Sequence, residues 1–303
     1  MTGKAVSILI LATVAVAGCG GDDDGSLGDF FGSDLKQLTF DGGSSPSWSP
    51  DGQSIVYTNQ QNLWLISADG GDPIRITTMS GAEISPMWHP DPSTREIVFI
   101  NSPDADNFVL YTLAADGGEP VEVLSTTARL SSPSFTSDGQ QIAFIDGKKG
   151  AGIKLLPASG EGPIAQLSNS DGWDLVMSAH CSPMEGTIAY VENRSTDFNI
   201  YTLSLSGGTP ANLTNMKNTG GDVNKLYYVD WSKDGSELVY THSANPYFNT
   251  FALYTLPAGG GTPETWTEDP VDNSVDYGSP SYAPDGNRLA CSHSGDIWIL
   301  TLR

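Results

Sequence analysis

A short phrase returns six times along this sequence, and its spacing limits the possible folds more than any other feature. It reads Ser45-Pro46-Ser47-Trp48-Ser49-Pro50-Asp51-Gly52, then Ser85-Pro86-Met87-Trp88-His89-Pro90-Asp91, then Ser132-Pro133-Ser134-Phe135-Thr136-Ser137-Asp138-Gly139. A degraded copy follows at Cys181-Ser182-Pro183-Met184-Glu185-Gly186, then Trp231-Ser232-Lys233-Asp234-Gly235, and finally Ser279-Pro280-Ser281-Tyr282-Ala283-Pro284-Asp285-Gly286. The anchor positions 48, 88, 135, 181, 231 and 282 lie 40 to 51 residues apart, the length of a four-stranded blade in a radial repeat. Each phrase is a strand running into a turn: proline presets φ, aspartate caps the turn with its side chain, and glycine accepts positive φ.

The rest of each repeat completes a blade. A second strand follows the phrase, as in Ile55-Val56-Tyr57, Ile142-Ala143-Phe144 or Leu289-Ala290-Cys291, apolar at consecutive positions and so packed on both faces. A third strand, as in Leu63-Trp64-Leu65-Ile66 or Leu253-Tyr254-Thr255-Leu256, leads to a glycine turn that exits through proline, such as Asp69-Gly70-Gly71-Asp72-Pro73. Fourth strands such as Ile74-Arg75-Ile76-Thr77 and Ala211-Asn212-Leu213-Thr214 begin just after that proline, where it removes no ladder bond. The sixth repeat stops after its third strand, while Leu35-Lys36-Gln37-Leu38-Thr39 reads as a fourth strand without a third of its own. Pairing the two ends leaves no open edge. The expectation is an all-β, six-bladed β-propeller of four-stranded antiparallel blades, closed by an N-terminal strand that completes the last blade, over residues 34–303.

The residues before the repeats read as targeting. Lys4 precedes the apolar run Ala5 to Ala17, too short to span a bilayer as a mature helix and shaped like a secretory signal. The run ends Val16-Ala17-Gly18-Cys19. Small residues before a cysteine resemble the lipobox of bacterial lipoproteins, which implies that residues 1–18 form a lipoprotein signal peptide with Cys19 as the acylated first mature residue; the competing reading is an ordinary signal peptide with an incidental cysteine. Residues 19–33, with Gly20-Gly21-Asp22-Asp23-Asp24-Gly25-Ser26, have little to bury and are expected to be a flexible acidic tether. In the enterobacterial lipoprotein pattern an aspartate two residues after the cysteine retains the protein at the inner membrane; Gly21 stands there, so the resemblance favours the outer membrane, on its periplasmic or its surface face.

Charge narrows the partners. The chain carries 36 Asp and Glu against 14 Lys and Arg, one of which is Lys4 in the leader, for a formal charge of −22. That balance argues against nucleic acid, which needs a basic surface. Cys181 and Cys291 fall in different repeats, so no disulfide is expected between them. A monomer is expected.

The recurring phrases resemble the TolB-type family of propeller repeats, also found in the propellers of tricorn protease and prolyl oligopeptidase. The resemblance covers about residues 35 to 303. It implies the fold and no particular activity: TolB proteins add an N-terminal α/β domain and prolyl oligopeptidases a hydrolase domain, neither of which is expected here. Polygalacturonate-lyase relatives of the class hold a metal with histidines.

Motifs for a nucleophile elbow, a zinc protease, a P-loop or a cysteine metal knuckle are absent. Gly147-Lys148-Lys149-Gly150-Ala151-Gly152 joins two strands and reads as a turn. The links between blades and between second and third strands lengthen toward the C-terminal half, marking one face as the binding face. Its aromatics, Tyr227, Tyr228, Tyr247, Phe248 and Tyr277, with Trp173 before blade four, are candidates for stacking on sugars or anchoring a protein; packing of loops onto the blades is the alternative. The second strands end in Asn59, Asn101, Asp146, Glu192, His242 and His293 at matching positions. Glu192, His242 and His293 are candidates to ligate a divalent metal, or to serve as acid and base, against a purely structural role at strand ends. His89 and His180 read as structural. The function expected is a lipid-anchored cell-envelope binding or scaffold module presenting its loop-rich face to a protein or an envelope polysaccharide. The alternatives are a lyase-like polysaccharide enzyme with a site near His242 and His293, and a propeller that docks a separate hydrolase.

Overall fold

The structure is a computed structural model that describes residues 34–147, 152–169, 175–184, 186–194, 197–217, 225–243, 251–267 and 277–301. The leader, Cys19 and the tether lie outside the described residues. The described strands form six four-stranded antiparallel sheets. Blade one consists of β2 (Ser44–Trp48), β3 (Ser54–Asn59), β4 (Asn62–Ser67) and β5 (Ile74–Arg75); blade two of β6 (Ala82–Trp88), β7 (Glu96–Asp104), β8 (Asn107–Ala114) and β9 (Val121–Thr126). Blade three runs β10 (Leu130–Phe135), β11 (Gln141–Asp146), β12 (Ile153–Pro157) and β13 (Ala165–Gln166), and blade four β14 (Leu175–Cys181), β15 (Thr187–Arg194), β16 (Asp197–Ser204) and β17 (Ala211–Asn212). Blade five holds β18 (Lys225–Trp231), β19 (Glu237–Ser243), β20 (Ala252–Pro257) and β21 (Glu264–Thr265). Blade six joins β22 (Tyr277–Tyr282), β23 (Arg288–His293) and β24 (Asp296–Thr301) to the N-terminal β1 (Asp34–Gln37).

Closure follows the sequence expectation. Strand β1 pairs antiparallel with β24, Leu35 opposite Leu300 and Gln37 opposite Trp298. Beyond the ladder, Asp296 gathers the incoming chain: its carboxylate accepts from Thr39 Oγ1 (3.0 Å), the Gly42 amide (2.9 Å) and Gln37 Nε2 (3.2 Å). Thr39 Oγ1 in turn accepts the Ile297 amide at 2.8 Å. The same hydroxyl-to-third-strand bond recurs from Thr77 to Leu63, Ser168 to Ile153, Thr214 to Ile200 and Thr267 to Leu253, at 2.8 to 3.1 Å. The N-terminal segment therefore sits in blade six as its counterparts sit in theirs.

This bond also corrects the fourth strands. Ile74 to Thr77 and Ala211 to Thr214 read as four-residue strands, yet the strands end after two residues, with the Ile76 and Leu213 amides each adding one bond to the Leu63 and Ile200 carbonyls at 2.9 Å. The side-chain hydroxyl supplies the acceptor that a backbone carbonyl would otherwise provide, and the chain turns away early.

The core is divided into wedges between adjacent blades. One apolar cluster joins blades six and one through Trp48, Ile55, Tyr57, Ala290 and Ile297, and another joins one and two through Val56, Leu63, Trp88, Ile97 and Phe99. Ile55 and Val56 are consecutive and buried on opposite faces, which is why the second strands are apolar without alternation. The anchor residue of each phrase fills the wedge shared with the preceding blade: Trp48, Trp88, Phe135, Cys181, Trp231 and Tyr282. Burying a large apolar side chain stabilises by roughly 1.5–3 kcal/mol, and Cys181 supplies the smallest anchor. Cys181 and Cys291 lie in different wedges, where burial pushes the Cys181 thiol up to about 12.

The tight turns behave as the phrase implies. Ser49, Thr136 and Ser232 hydroxyls donate to Asp51, Asp138 and Asp234 at 2.5 to 2.8 Å and accept the amides of Ser54, Gln141 and Glu237 at 2.9 to 3.1 Å. Gly52, Gly139, Gly235 and Gly286 close these turns with φ of 68 to 74°, a conformation that costs residues with a Cβ.

Candidate functional site

The ring of polar residues at the second-strand ends is present in register, and its members are engaged locally. Asn101 donates to the Ser80 carbonyl at 3.0 Å and Asn59 to the Asp41 carbonyl at 3.3 Å; both fasten the links that lead into their blades. Asp146 pairs with Lys154. Glu192 is buried and holds Arg194 at 2.8 Å, whose guanidinium lies 4.7 Å from the Tyr201 ring centre. His242 packs edge-on against Tyr254, with ring centres 5.0 Å apart. His293 stacks on Tyr277 at 4.4 Å and 14° and meets Trp298 edge-on. Among the described residues, no three His, Cys, Asp or Glu side chains gather as metal ligands would. The Glu192 carboxylate faces its own arginine, so as placed it is not shared with His242 and His293.

The predicted aromatics are divided differently. Trp173, Tyr247 and Phe248 lie outside the described residues. Tyr227, Tyr228 and Tyr277 do come together, with His293, around a cavity of about 440 Å³ between blades five, six and one. Its remaining lining is Phe251, the hydroxyl residues Ser44, Ser292 and Ser294, and Gly43, Gly278 and Gly295. These positions belong to second-to-third hairpins and to the starts of first strands, so the cavity opens on the face where the connections are long.

Two placements differ from a loop reading. Tyr227 and Tyr228 belong to strand β18, where the register with β19 shifts between Leu226 and Val229. Tyr277 is the first residue of β22 and only 3 % exposed; its amide donates to the Phe251 carbonyl and its ring lies against His293, so it forms wall rather than rim. Burial pushes its hydroxyl up to about 12. Tyr228 is the exposed member, at 43 %. Tyr227 lies between it and Phe251, with ring centres 6.5 and 5.0 Å away. Phe251 was missed because it carries no periodic signal and precedes β20. Phe40, 76 % exposed in the link between β1 and β2, was missed because nothing marks it in the repeat.

A second opening lies on the tight-turn face, about 390 Å³ around the axis, reached by all six first strands. Here His180 Nδ1 lies 3.1 Å from Asp230 Oδ1, while Asp230 Oδ2 accepts the Tyr282 amide at 2.9 Å. Trp231 Nε1 donates to the His180 carbonyl at 2.9 Å. Asp230 thereby ties blades four, five and six. Ser134 Oγ plays the simpler version of this role, accepting the Cys181 amide at 3.0 Å between blades three and four. His180 thus has a partner across a blade boundary, consistent with its structural reading.

Comparison with known proteins supplies the remaining context. A family model described as the dipeptidyl peptidase IV N-terminal region matches residues 34–86. Among solved structures, a putative TolB from Agrobacterium tumefaciens superposes with a TM-score of 0.66 at 15 % identity, over 89 % of this chain and 98 % of that one. TolB from Acinetobacter baumannii gives 0.61 at 18 % identity, over 90 % of this chain and 64 % of that one. An oligogalacturonate lyase in complex with manganese gives 0.60 at 18 % identity, over 86 % of this chain and 78 % of that one. At these identities the likeness is one of fold.

Proposed function

We propose that this chain, a propeller of TolB-like fold, is an exported binding module tethered by acylated Cys19 and turned so that its loop-rich face meets a protein or an envelope polymer. The observation that carries the reading is the cavity between blades five and six, an aromatic-lined concavity on the face with the long connections, beside exposed Tyr228. Concave, mostly apolar sites with a few polar groups are where ligands bind, and exposed aromatic residues on rigid scaffolds carry much of the binding energy. The negative charge of the chain disfavours nucleic acid as the partner.

Two experiments test this. Replacing Cys19 with serine is expected to move the protein from the membrane fraction to the soluble one; retention at the membrane removes the anchor. A photo-crosslinking residue at Ser294, on the cavity rim, is expected to give discrete adducts in intact cells that the same residue at Ile74, on the outer edge of blade one, does not give. Equal adducts at both positions contradict the assignment of the face.

The lyase reading draws support from one observation, that His293 lines this cavity in a fold shared with a manganese-bound lyase. It requires metal in the purified protein and loss of turnover on uronic polymers in a His242→Ala/His293→Ala double variant. A metal-free protein, or turnover unchanged by the double variant, removes it.

A further inference from the structure

Blade five departs from the repeat beside the cavity. The residue three before the anchor is serine in the other five blades, Ser45, Ser85, Ser132, Ser178 and Ser279, and all but Ser178 have φ between 45 and 53° at a bulge in the first strand. Bulges of this kind re-aim the chain and belong to the blade's architecture. In blade five that position is Tyr228, which lies at a register shift without positive φ and lines both the axial channel and the lateral cavity. Five serines show that the fold does not need an aromatic there.

The neighbouring blade makes room for it. Gly278 occupies in blade six the position that Tyr227 holds in blade five. A Cβ added at Gly278 would stand 2.8 Å from Ser292 Oγ and 3.7 Å from the Tyr228 ring. A side chain there would fill the floor of the cavity, so the glycine keeps it open.

The lining also has a charge character at odds with the whole chain. Around the cavity stand Tyr227, Tyr228, Phe251 and Tyr277, with three serine hydroxyls and His293; among the described residues that line it, none is Asp, Glu, Lys or Arg. The chain as a whole carries a formal −22. A volume of about 440 Å³ falls within the range of small-molecule sites.

Aromatic faces beside hydroxyl groups, without ions, suit a ligand that has apolar C–H faces and a rim of hydroxyls. A pyranose ring is such a ligand. A uronic acid would bring a carboxylate to a cavity with no Lys or Arg among its described lining residues, against the field of an acidic protein. We propose that the cavity binds an uncharged pyranose unit of a polysaccharide, its ring face stacked on Tyr228 and its hydroxyls paired with Ser44, Ser292 and Ser294. This rests on the reading of the loop-rich face as the binding face and names what that face takes.

The test is a titration of the purified protein with cellohexaose, chitohexaose and oligogalacturonate, followed by calorimetry and by NMR. At least one of the two neutral oligomers is expected to bind and oligogalacturonate to bind at least tenfold more weakly. Tyr228→Ser restores the residue the other blades use, so the fold is preserved, and it is expected to weaken neutral-sugar binding at least tenfold at an unchanged melting temperature. Tyr228→Phe keeps the stacking face and is expected to stay within about threefold. Absence of binding by both neutral oligomers, preference for oligogalacturonate, or full binding by the Tyr228→Ser variant overturns the proposal. Adducts at Ser294 that persist in cells while the titrations fail would leave the binding face standing and remove only the sugar.

Discussion

At the residue scale, most positions that look chemically interesting serve the blades, and departures from the repeat stand out against them. Gly139 and Gly286 show how local context sets the consequence of one backbone state. Both close a tight turn at φ near 70 to 74°, where a non-glycine residue costs roughly 1–2 kcal/mol. At Gly286 an added Cβ meets open space, whereas at Gly139 it would lie 2.0 Å from His89 Nε2, in a ring fixed against Phe135 at 4.8 Å. Gly286→Ala is therefore expected to destabilise by about 1–2 kcal/mol in urea unfolding, and Gly139→Ala by clearly more. His89→Ala in the Gly139→Ala background should recover part of the difference; equal losses at the two glycines would show that the contact with His89 does not matter. Tyr228 is the converse case, a residue the architecture does not require, which is why it carries the functional argument.

At the element scale, the repeating unit is a first strand, a capped turn and an apolar second strand, and its capping makes it sensitive to acid. The Ser236 hydroxyl and amide, with Ser232, hold the Asp234 carboxyl down at about 2 against an ordinary 3.8. Ser49 and Thr136 likewise lower Asp51 and Asp138. A carboxylate lowered by folding contributes stability that is complete above its unfolded pKa and is lost as pH falls through the folded one. Thermal midpoints are thus expected to stay level from neutral pH to about 4 and to decline between about 4 and 2; Asp234→Asn should shrink that decline, and an unchanged slope would contradict the capping account. Much of this element was legible from the sequence, because the serine-proline-aromatic and proline-aspartate-glycine groups place a strand and a turn by their own conformational preferences. Strand β12 was less legible, since Ile153–Pro157 lacks the aromatic residue of its counterparts, Trp64, Tyr111, Tyr201, Tyr254 and Trp298. The early exit of the fourth strands was hidden because it depends on a hydroxyl reaching across to the next strand. The site was legible in its aromatic content at Tyr227, Tyr228 and Tyr277, but not in its partition, since burial of Tyr277 and the placement of Phe251 arise only when blades five and six meet. The bond from His180 to Asp230 crosses a blade boundary 50 residues apart, and no local pattern announces it.

At the scale of the whole molecule, apolar wedges join adjacent blades, and the ring stays shut because residues from both ends share one sheet. Leaving the donors around Asp296 without an acceptor costs about 1–3 kcal/mol, so Asp296→Ala is expected to lower stability by that amount while the protein stays monomeric. Removal of residues 34–39 is expected to do more: β24 then presents an unpaired edge, and self-association should appear in light scattering. A monodisperse, fully stable truncated protein would contradict closure by β1. With the ring shut, the two faces differ in kind: one carries repeated tight turns, and the other carries exposed Tyr228 and the aromatic-lined cavity. The claim on which the functional account turns is that this second face makes the contacts of the protein. Proximity labelling from the protein in live cells, comparing the native sequence with Tyr228→Ser at equal abundance, tests it most directly. The account predicts that the labelled neighbours of the native protein fall severalfold in the variant; an identical pattern from both proteins would contradict it.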